Sequence, residues 1–341
     1  FGKPLRDRHP AGTVSLIPLH LHAFMDRFLD VYKPNIYILG TTMVDRHGYV
    51  RTPLSCPSRR AIDMADIVIV YGDTEISIDD IDYIVEEANP INTFEPGPLT
   101  DVDRAIGENV ATLVEDGSTI QLGIGAIPDA VLLFLKEKND LGIHTEMFSD
   151  GVVELVEAGV ITNKAKTLHR GQSVATFLMG TRRLYDYVSD NPAVAMYPVD
   201  YVNDPYVIGQ NDNLVSINSC VQVDIMGQVV STSAGLRQIS GVGGQVDFVR
   251  GANLSKGGRA IMAMPSTTGK GKISKIVPFL DQGSAVTTTR NEVNYVITEY
   301  GIAKLKGKSL RQRAEALIRI AHPDFRDELT AEFRRRYPRD Y

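Results

Sequence analysis

No stretch of the 341-residue sequence approaches the ~18 consecutive apolar residues that a membrane-spanning helix needs. A membrane partner is therefore not expected. Only two cysteines occur, Cys56 and Cys220, far apart in the chain, so a disulfide framework is not expected. With no signal-peptide pattern visible at Phe1, the expected location is the reducing cytoplasm. Basic charge is not in excess. The chain carries 36 basic and 42 acidic residues, a formal net charge of −6, which argues against nucleic acid as a partner. Any anionic ligand must then be held by local basic residues and helix ends. No G-x-S-x-G elbow is present, which argues against a serine hydrolase of that fold. His20 and His22 stand at i, i+2 with no further ligand cluster, so no metal site is expected. Neither cysteine has a histidine arrangement that would suggest a thiol nucleophile. There is no internal repeat and no low-complexity segment. What remains is ordinary for a globular protein, with 43% hydrophobic and 23% charged residues in a chain long enough for two domains.

The chain is organised around residues 118 to 150. Ser118 to Leu122 is a short β-prone run, and Gly123 and Gly125 allow a tight turn with exposed backbone N–H groups. Pro128 suits the first turn of a helix. Ala130 to Leu135 is apolar on every side, so this helix is expected to be buried. Gly142 should break it, and Ile143 to Phe148 reads as the next strand, carrying Glu146 toward its end. In open α/β sheets ligands sit at the carboxyl ends of strands, where both the glycine turn and Glu146 would lie.

Before this stretch, Leu19 to Val31 is amphipathic, and Asn35 to Leu39, Ile67 to Tyr71 and Asp82 to Val85 read as strands. Residues 47 to 53 read as a loop. The segment 89 to 101 holds three prolines and a glycine and is the best domain boundary, giving expected domains 1–98 and 99–341. Asp101 can cap a helix running to Glu115, with Ile106, Val110 and Leu113 on one face. After the central stretch, Val152 to Ala158 reads as helix, Val174 to Met179 as strand and Leu184 to Ser189 as short helix. Leu214 to Ile217 and Val221 to Ile225 read as strands around Asn218. Arg259 to Met264, Ser274 to Pro278 and Val293 to Thr298 continue the β-rich pattern. Ser309 can cap a final helix with Leu310, Ala314, Leu317, Ile318 and Ala321 on one face. Phe325, Leu329 and Phe333 follow at the same spacing. Alternating strands and helices imply an α/β class with largely parallel sheets.

Several residues carry a functional reading beside an ordinary one. Glu146 is either a common surface carboxylate or a nucleophile or base beside the glycine turn. The Gly123-Ile124-Gly125 turn is either a tight connection or part of a dinucleotide fingerprint. The fingerprint is incomplete, because Pro128 replaces its third glycine. Gly241 to Gly244 is either a flexible turn or a place where a ligand approaches the backbone closely. Asn218 could simply cap a strand end, Glu299 could be solvated, and Gln222 reads as a strand residue. GKGKISK at 269 to 275 is either a solvated loop or a source of point charges for phosphates from Lys270, Lys272 and Lys275. Its spacing is not that of a phosphate loop. His144 reads as a packed or solvent-facing histidine.

The segments GIGAIPDAV, GIHTEMFSDG, INSCVQVDIMGQV, SGVGGQVDFVRGA, AMPSTTGKGKISKIVPFLD and VITEYGIAKLKGKSLRQRAEALIRIAHPDFRDEL occur in this order from about Ile81 onward. In them the chain resembles the acetyl-CoA hydrolase/transferase family, the family I CoA-transferases, and most resembles its 4-hydroxybutyrate and butyrate:acetate branch. The resemblance implies tandem CoA-transferase domains with the site between them, and a dimer or tetramer. It implies CoA transfer from a short-chain acyl-CoA to a free carboxylate such as acetate, with no cofactor beyond CoA as substrate. It makes Glu146 the nucleophile and the backbone N–H groups of Ile124 and Gly244 oxyanion donors, with Gly243 as the alternative to Gly244. It places Asn218 and Glu299 near the thioester, Gly123, Gly125, Gly241 and Gly243 along the acyl-CoA site, and Lys270 and Lys272 near the CoA phosphates. Two rivals are an acyl-CoA hydrolase on the same scaffold and, more remotely, a nucleotide-binding oxidoreductase. Beside that family the chain begins late and is short around 67 to 77, so it is expected to join segments of a longer protein.

Overall fold

The computed structural model describes residues 3–42, 44–52, 54–70, 76–85, 91–123 and 125–338. Ile124, Tyr71 and the start of the proline-rich segment at 89–90 lie outside them. The first part of the chain contains helix α1 (Phe24–Val31) and strands β1 (Ile36–Leu39), β2 (Ile67–Val70) and β3 (Tyr83–Ile84). These strands form a parallel sheet in the order β1-β2-β3. Leu39, Val50, Ile62, Val68, Val70 and Ile76 make a small core of their own. Within the expected loop at 47–53, Tyr49–Val50 pairs antiparallel with Ile76–Ser77, which closes that core.

The larger part is built on a six-stranded sheet. Its elements in chain order are helix α2 (Asp101–Ala111), β4 (Thr119–Leu122), α3 (Ala126–Phe134), β5 (Gly142–Ile143), β6 (Met147–Phe148), α4 (Asp150–Glu157) and β7 (Phe177–Leu178). They are followed by the short helices α5 (Val199–Val202) and α6 (Pro205–Gly209), then β8 (Leu214–Ser219), α7 (Gln245–Leu254), β9 (Arg259–Ala263), β10 (Tyr295–Thr298), β11 (Gly301–Lys304), α8 (Leu310–Arg319) and α9 (Arg326–Arg336). The strand order is β11-β10-β9-β8-β4-β5. Every pairing is parallel except the β10–β11 hairpin at the edge.

Side chains alternate across a strand, and here the two faces fill two cores. Ile120, Leu122, Val215, Ile217, Ile261, Ala263 and Ile297 meet α2 and α3 through Ile106, Val110 and Val131. Leu214, Ala260, Met262 and Val296 meet α7 and α8 through Phe248, Val249, Ala252, Ala314 and Leu317. A parallel sheet covered by helices on both faces explains why its strands read as continuous apolar runs. The C-terminal helices are spent in this packing: Leu317 and Leu329 are buried, and Ile318 and Phe333 lie against the same core.

Some expected boundaries move. Helix α2 is capped by Thr100 rather than Asp101, in a capping box where Thr100 Oγ1 accepts from Asp103 N and the Asp103 carboxylate accepts from Thr100 N. It ends at Ala111, because Leu113 and Val114 donate to carbonyls three residues back and tighten the last turn. Ser309 caps α8 in a second capping box with Gln312. Helix α3 ends at Phe134, well before Gly142. The stretch read as one strand from Ile143 to Phe148 is two strands in different sheets. β5 closes the large sheet, and β6 pairs with β7. Thr145 N donates to Val174 O, and Glu146 O takes both Thr176 N and Phe177 N, so the ladder cannot continue and the chain bends at Glu146. The expected strand 174–179 is broken at the same place, into Ser173–Ala175 and β7. Gln245–Leu254 is a helix that the sequence pattern does not announce, because a glycine cluster precedes it and charged and polar residues interrupt its apolar face.

The first part of the chain is tied to the second at named points. Cys56 N donates to Thr176 O at 3.0 Å, Leu178 N to Leu54 O at 2.7 Å, and Phe94 N to Gly180 O at 2.9 Å.

Candidate functional site

The parallel strands put their carboxyl ends along one edge. Gly123 follows β4, Glu146 lies three residues past β5, Asn218 is in the last turn of pairing on β8, and Glu299 follows β10. Glu146 is therefore not at a strand end but in the bend between β5 and β6, and this bend aims its side chain across the edge. Its Oε2 accepts from Asn203 Nδ2 at 2.9 Å, and the backbone N–H of Gly244 hydrogen-bonds the same carboxylate. A Cβ at residue 244 would stand 2.0 Å from Glu146 Oε2 and 2.4 Å from Asn203 Nδ2. No side chain fits there, which gives Gly244 a physical reason. Gly243 before it has φ 57° and Gly125 has φ 111°, backbone settings that favour glycine. Gly123 and Gly241 have open space where a Cβ would stand.

Burial raises the Glu146 carboxyl above the usual glutamate range, and the nearby Asp247 carboxylate adds to the rise. The Asn203 and Gly244 hydrogen bonds oppose it. Asn203 itself is wholly buried, and its Oδ1 has no hydrogen-bond partner among the described residues. It lies between the short helices α5 and α6, where Asp204 caps α6 by accepting from Tyr206 N at 2.7 Å. His144 supports this turn from below: its Nε2 donates to Val202 O at 2.8 Å, and its Nδ1 accepts from Asn211 Nδ2 at 3.4 Å. That arrangement requires the neutral ring, and burial holds its pKa down at about 3. The histidine two residues before Glu146 is thus a packed residue that fixes the backbone carrying Asn203.

Other expected site residues lie further along the edge. Asn218 is buried, and its Nδ2 donates to Gln121 Oε1 at 3.1 Å. Glu299 is held by Ser266 N at 2.8 Å and Ser266 Oγ at 2.6 Å. The strands leading to Glu146 and Glu299 are four sheet spacings apart, roughly 19 Å at ~4.8 Å per strand, so the two carboxylates leave the sheet near opposite ends of its carboxyl edge. Lys270 and Lys272 are exposed on the turn of a hairpin between Thr267–Thr268 and Ile273–Ser274. Lys275 does not join them: it points inward and donates to Cys220 O at 3.0 Å. Gln222 accepts from Asp281 N at 2.9 Å, as an ordinary strand residue would. Ile124, expected as a backbone donor, lies outside the described residues.

A small, half-open cleft adjoins this bend. Phe94, Pro96, Met147 and Met179 make its apolar walls, and Gly125 and Asp129 lie on its rim. Glu146 does not line it, but its neighbour Met147 does. Asp129 has its pKa raised, by burial first and then by Asp150. No group of three or more His, Cys, Asp or Glu side chains suited to a metal occurs among the described residues.

Asn203 has no signal in the sequence, because it sits in an aperiodic stretch between two short helices. The pairing of His22 with Asp247 has none either, since its partners are 225 residues apart. The glycine cluster at 241–244 was the available signal for the turn beside them.

The structure thus places a buried carboxylate and a glycine turn together at the carboxyl edge of a parallel α/β sheet, the place where such folds hold their ligands. Residues 180–333 match the acetyl-CoA hydrolase/transferase C-terminal domain. The chain is 57% identical over 343 aligned positions to the 4-hydroxybutyrate coenzyme A transferase of Clostridium kluyveri, covering 97% of this chain and 80% of that one. It is 42% identical to the butyryl-CoA:acetate CoA-transferase of Anaerostipes caccae, covering 86% and 70% of the two chains. The crystal structure of 4-hydroxybutyrate CoA-transferase from Porphyromonas gingivalis superposes with a TM-score of 0.84 at 44% identity, covering 98% of this chain and 84% of that one. A more distant relative is the acetyl-CoA hydrolase of Yarrowia lipolytica, 29% identical over 83% of this chain and 55% of that one. The protein belongs to the acetyl-CoA hydrolase/transferase family of CoA-transferases and is an enzyme of the transferase class. The dinucleotide reading of the glycine turn falls away with this assignment.

Proposed function

We propose that the protein moves CoA from a short-chain acyl-CoA, such as 4-hydroxybutyryl-, butyryl- or acetyl-CoA, to a free carboxylate such as acetate, with Glu146 as nucleophile. The observation that carries this reading is the Glu146 carboxylate held between Asn203 Nδ2 and the Gly244 N–H at the carboxyl edge of the sheet. A glutamyl oxygen attacks the thioester carbonyl, and CoA thiolate leaves, giving an acyl-glutamyl anhydride. The thiolate attacks the glutamyl carbonyl of the anhydride and expels the first acid as its carboxylate, leaving glutamyl-CoA. The second carboxylate attacks that thioester and releases thiolate. The thiolate then takes the new acyl group and frees Glu146. Each attack builds charge on a carbonyl oxygen. The Gly244 N–H, no longer facing a full carboxylate once Glu146 is acylated, serves that oxygen. The Ile124 N–H is its proposed companion. One such donor is commonly worth about 3–4 kcal/mol.

The carboxyl edge between the strands leading to Glu146 and Glu299 spans four sheet spacings, a length that suits an elongated ligand such as CoA. Gly123, Gly125, Gly241 and Gly243 would flank its thioester end, and Asn218 and Glu299 would lie along it. Lys270 and Lys272 are free to reach its phosphates as point charges. The cleft at Met147 and Met179 suits a short acyl chain, and Asp129 offers an acceptor to a hydroxyl on that chain. CoA is substrate, and the cycle conserves the thioester without a further cofactor. We propose a division into units 1–98 and 99–341, since the small core and the two large ones are separate. A homodimer or homotetramer in a reducing cytoplasm completes the reading. Both cysteines are free, no helix among the described residues is long and apolar enough to cross a membrane, and Val31, Ile38, Tyr206 and Leu236 present apolar surface.

The test is incubation with acyl-CoA and no acceptor, then borohydride and peptide mapping. Glutamyl-CoA at residue 146 should be reduced to an alcohol. Label on another carboxylate, or on none, would remove the assignment. CoA release measured with and without acetate separates transfer from hydrolysis.

A further inference from the structure

Both carboxylate oxygens of Asp247 are taken by one residue from the far end of the chain. His22 donates its backbone N–H to Oδ2 at 3.1 Å, and its ring Nδ1 lies 2.7 Å from Oδ1. A carboxylate accepts, so Nδ1 carries the proton. Asp247 is wholly buried. It stands three residues after Gly244, the N-cap of α7, so it belongs to the same first turn that delivers the Gly244 N–H to Glu146. An anion there also suits the positive end of the helix. The groups facing Asp247 come from three directions. His22 and His20 approach from the N-terminal segment, with His20 Nδ1 at 4.0 Å from Oδ1. Glu146 approaches from the bend after β5. One turn further along α7, Arg250 holds Glu292 at 2.7 Å and lies 3.3 Å from His20 Nε2.

A second buried carboxylate beside a nucleophilic one opposes its ionisation. A peg that only joined two parts of the chain would not need that charge. We propose that His22 is a positioning residue for the nucleophile: through Asp247 it fixes the first turn of α7, and with it both the Gly244 donor and the charge next to Glu146. The proposal rests on the assignment of Glu146 made above. It makes the N-terminal segment part of the reacting centre without contact to the substrate.

The experiment uses the full chain and two substitutions, His22→Gln and Asp247→Asn, with melting temperature recorded for each. Single-turnover formation of the Glu146 adduct from acyl-CoA and the dissociation constant for CoA are measured separately. His22→Gln should slow adduct formation by about tenfold or more and leave CoA affinity unchanged. Asp247→Asn should shift the acidic limb of kcat/KM for acyl-CoA to lower pH, because a neutral neighbour no longer opposes ionisation of Glu146. Wild-type adduct formation in folded His22→Gln would overturn the proposal, and so would an unmoved acidic limb in Asp247→Asn. Should Asp247→Asn not fold, His22→Gln decides alone. If the wild-type enzyme formed no adduct at residue 146, the nucleophile assignment would fail first, whatever the variants did.

Discussion

A Cβ atom on residue 244 would sit 2.0 Å from Oε2 of Glu146. The two residues are 98 positions apart, and their approach brings the glycine cluster and the carboxylate together. Substitution there tests the approach directly. Gly244→Ala should displace the carboxylate, and Gly244→Val should also crowd the thioester. Loss of one aligned donor costs about 10²–10³-fold in turnover, whereas overpacking costs about 1–3 kcal/mol of stability. Turnover and urea midpoint measured together separate the two effects. Full turnover in folded Gly244→Val would show that the N–H does no chemistry.

Asn203 offers a pH signature. Its amide lowers the Glu146 pKa against burial and Asp247. Asn203→Ala removes the donor, so the Glu146 pKa should rise further. In the proposed mechanism the ionised form attacks, so the acidic limb of kcat/KM should move to higher pH, opposite in sign to the shift expected for Asp247→Asn. A pH–rate profile with butyryl-CoA reads both.

For Glu146 itself, aspartate keeps the charge but withdraws it by one methylene. A misplacement of about 1 Å can cost on the order of 10²-fold. Glu146→Gln keeps the shape and loses the nucleophile, so turnover should fall further while CoA still binds. Calorimetric CoA titration alongside turnover checks this, and equal activity of the two variants would count against a covalent route.

Lys166 gives a stability prediction away from the chemistry. It is buried, donates to Ile143 O at 2.7 Å and Gln172 O at 2.6 Å, and burial holds its pKa down at about 7. An unfolded lysine titrates near 10.4, so between about pH 7 and 10 the unfolded chain binds the extra proton, and this group's contribution to stability rises with pH. Lys166→Met removes that rise. Urea midpoints at pH 7 and pH 9 should differ less for the variant than for the wild type.

The cleft predicts selectivity. Met179→Trp should fill it and reduce turnover of butyryl-CoA more than that of acetyl-CoA. Asp129→Ala should affect 4-hydroxybutyryl-CoA more than butyryl-CoA. Competition assays with mixed donors, read by mass spectrometry, check both, and equal effects on all donors would place the acyl chain elsewhere.

Local chemistry was enough to read much of this protein. The β-prone segments at Thr119–Leu122, Leu214–Ser219 and Arg259–Ala263 form strands with both faces largely buried. Ser309 marks the start of α8 as its cap, and the motifs that run from Gly123 through Glu146 to the C-terminal helices carry the family resemblance. These signals survive in sequence because each depends on neighbours within a few residues. Tertiary structure decided what depends on distant partners. The break at Glu146 exists because Thr176 and Phe177 take its carbonyl. Asn203 reaches the carboxylate because His144 holds Val202. Lys275 turns inward because Cys220 O receives it. His22 meets Asp247 across 225 residues. None of these leaves a period or spacing in the chain, since a hydrogen bond between residues far apart in sequence constrains only the two ends and not what lies between them.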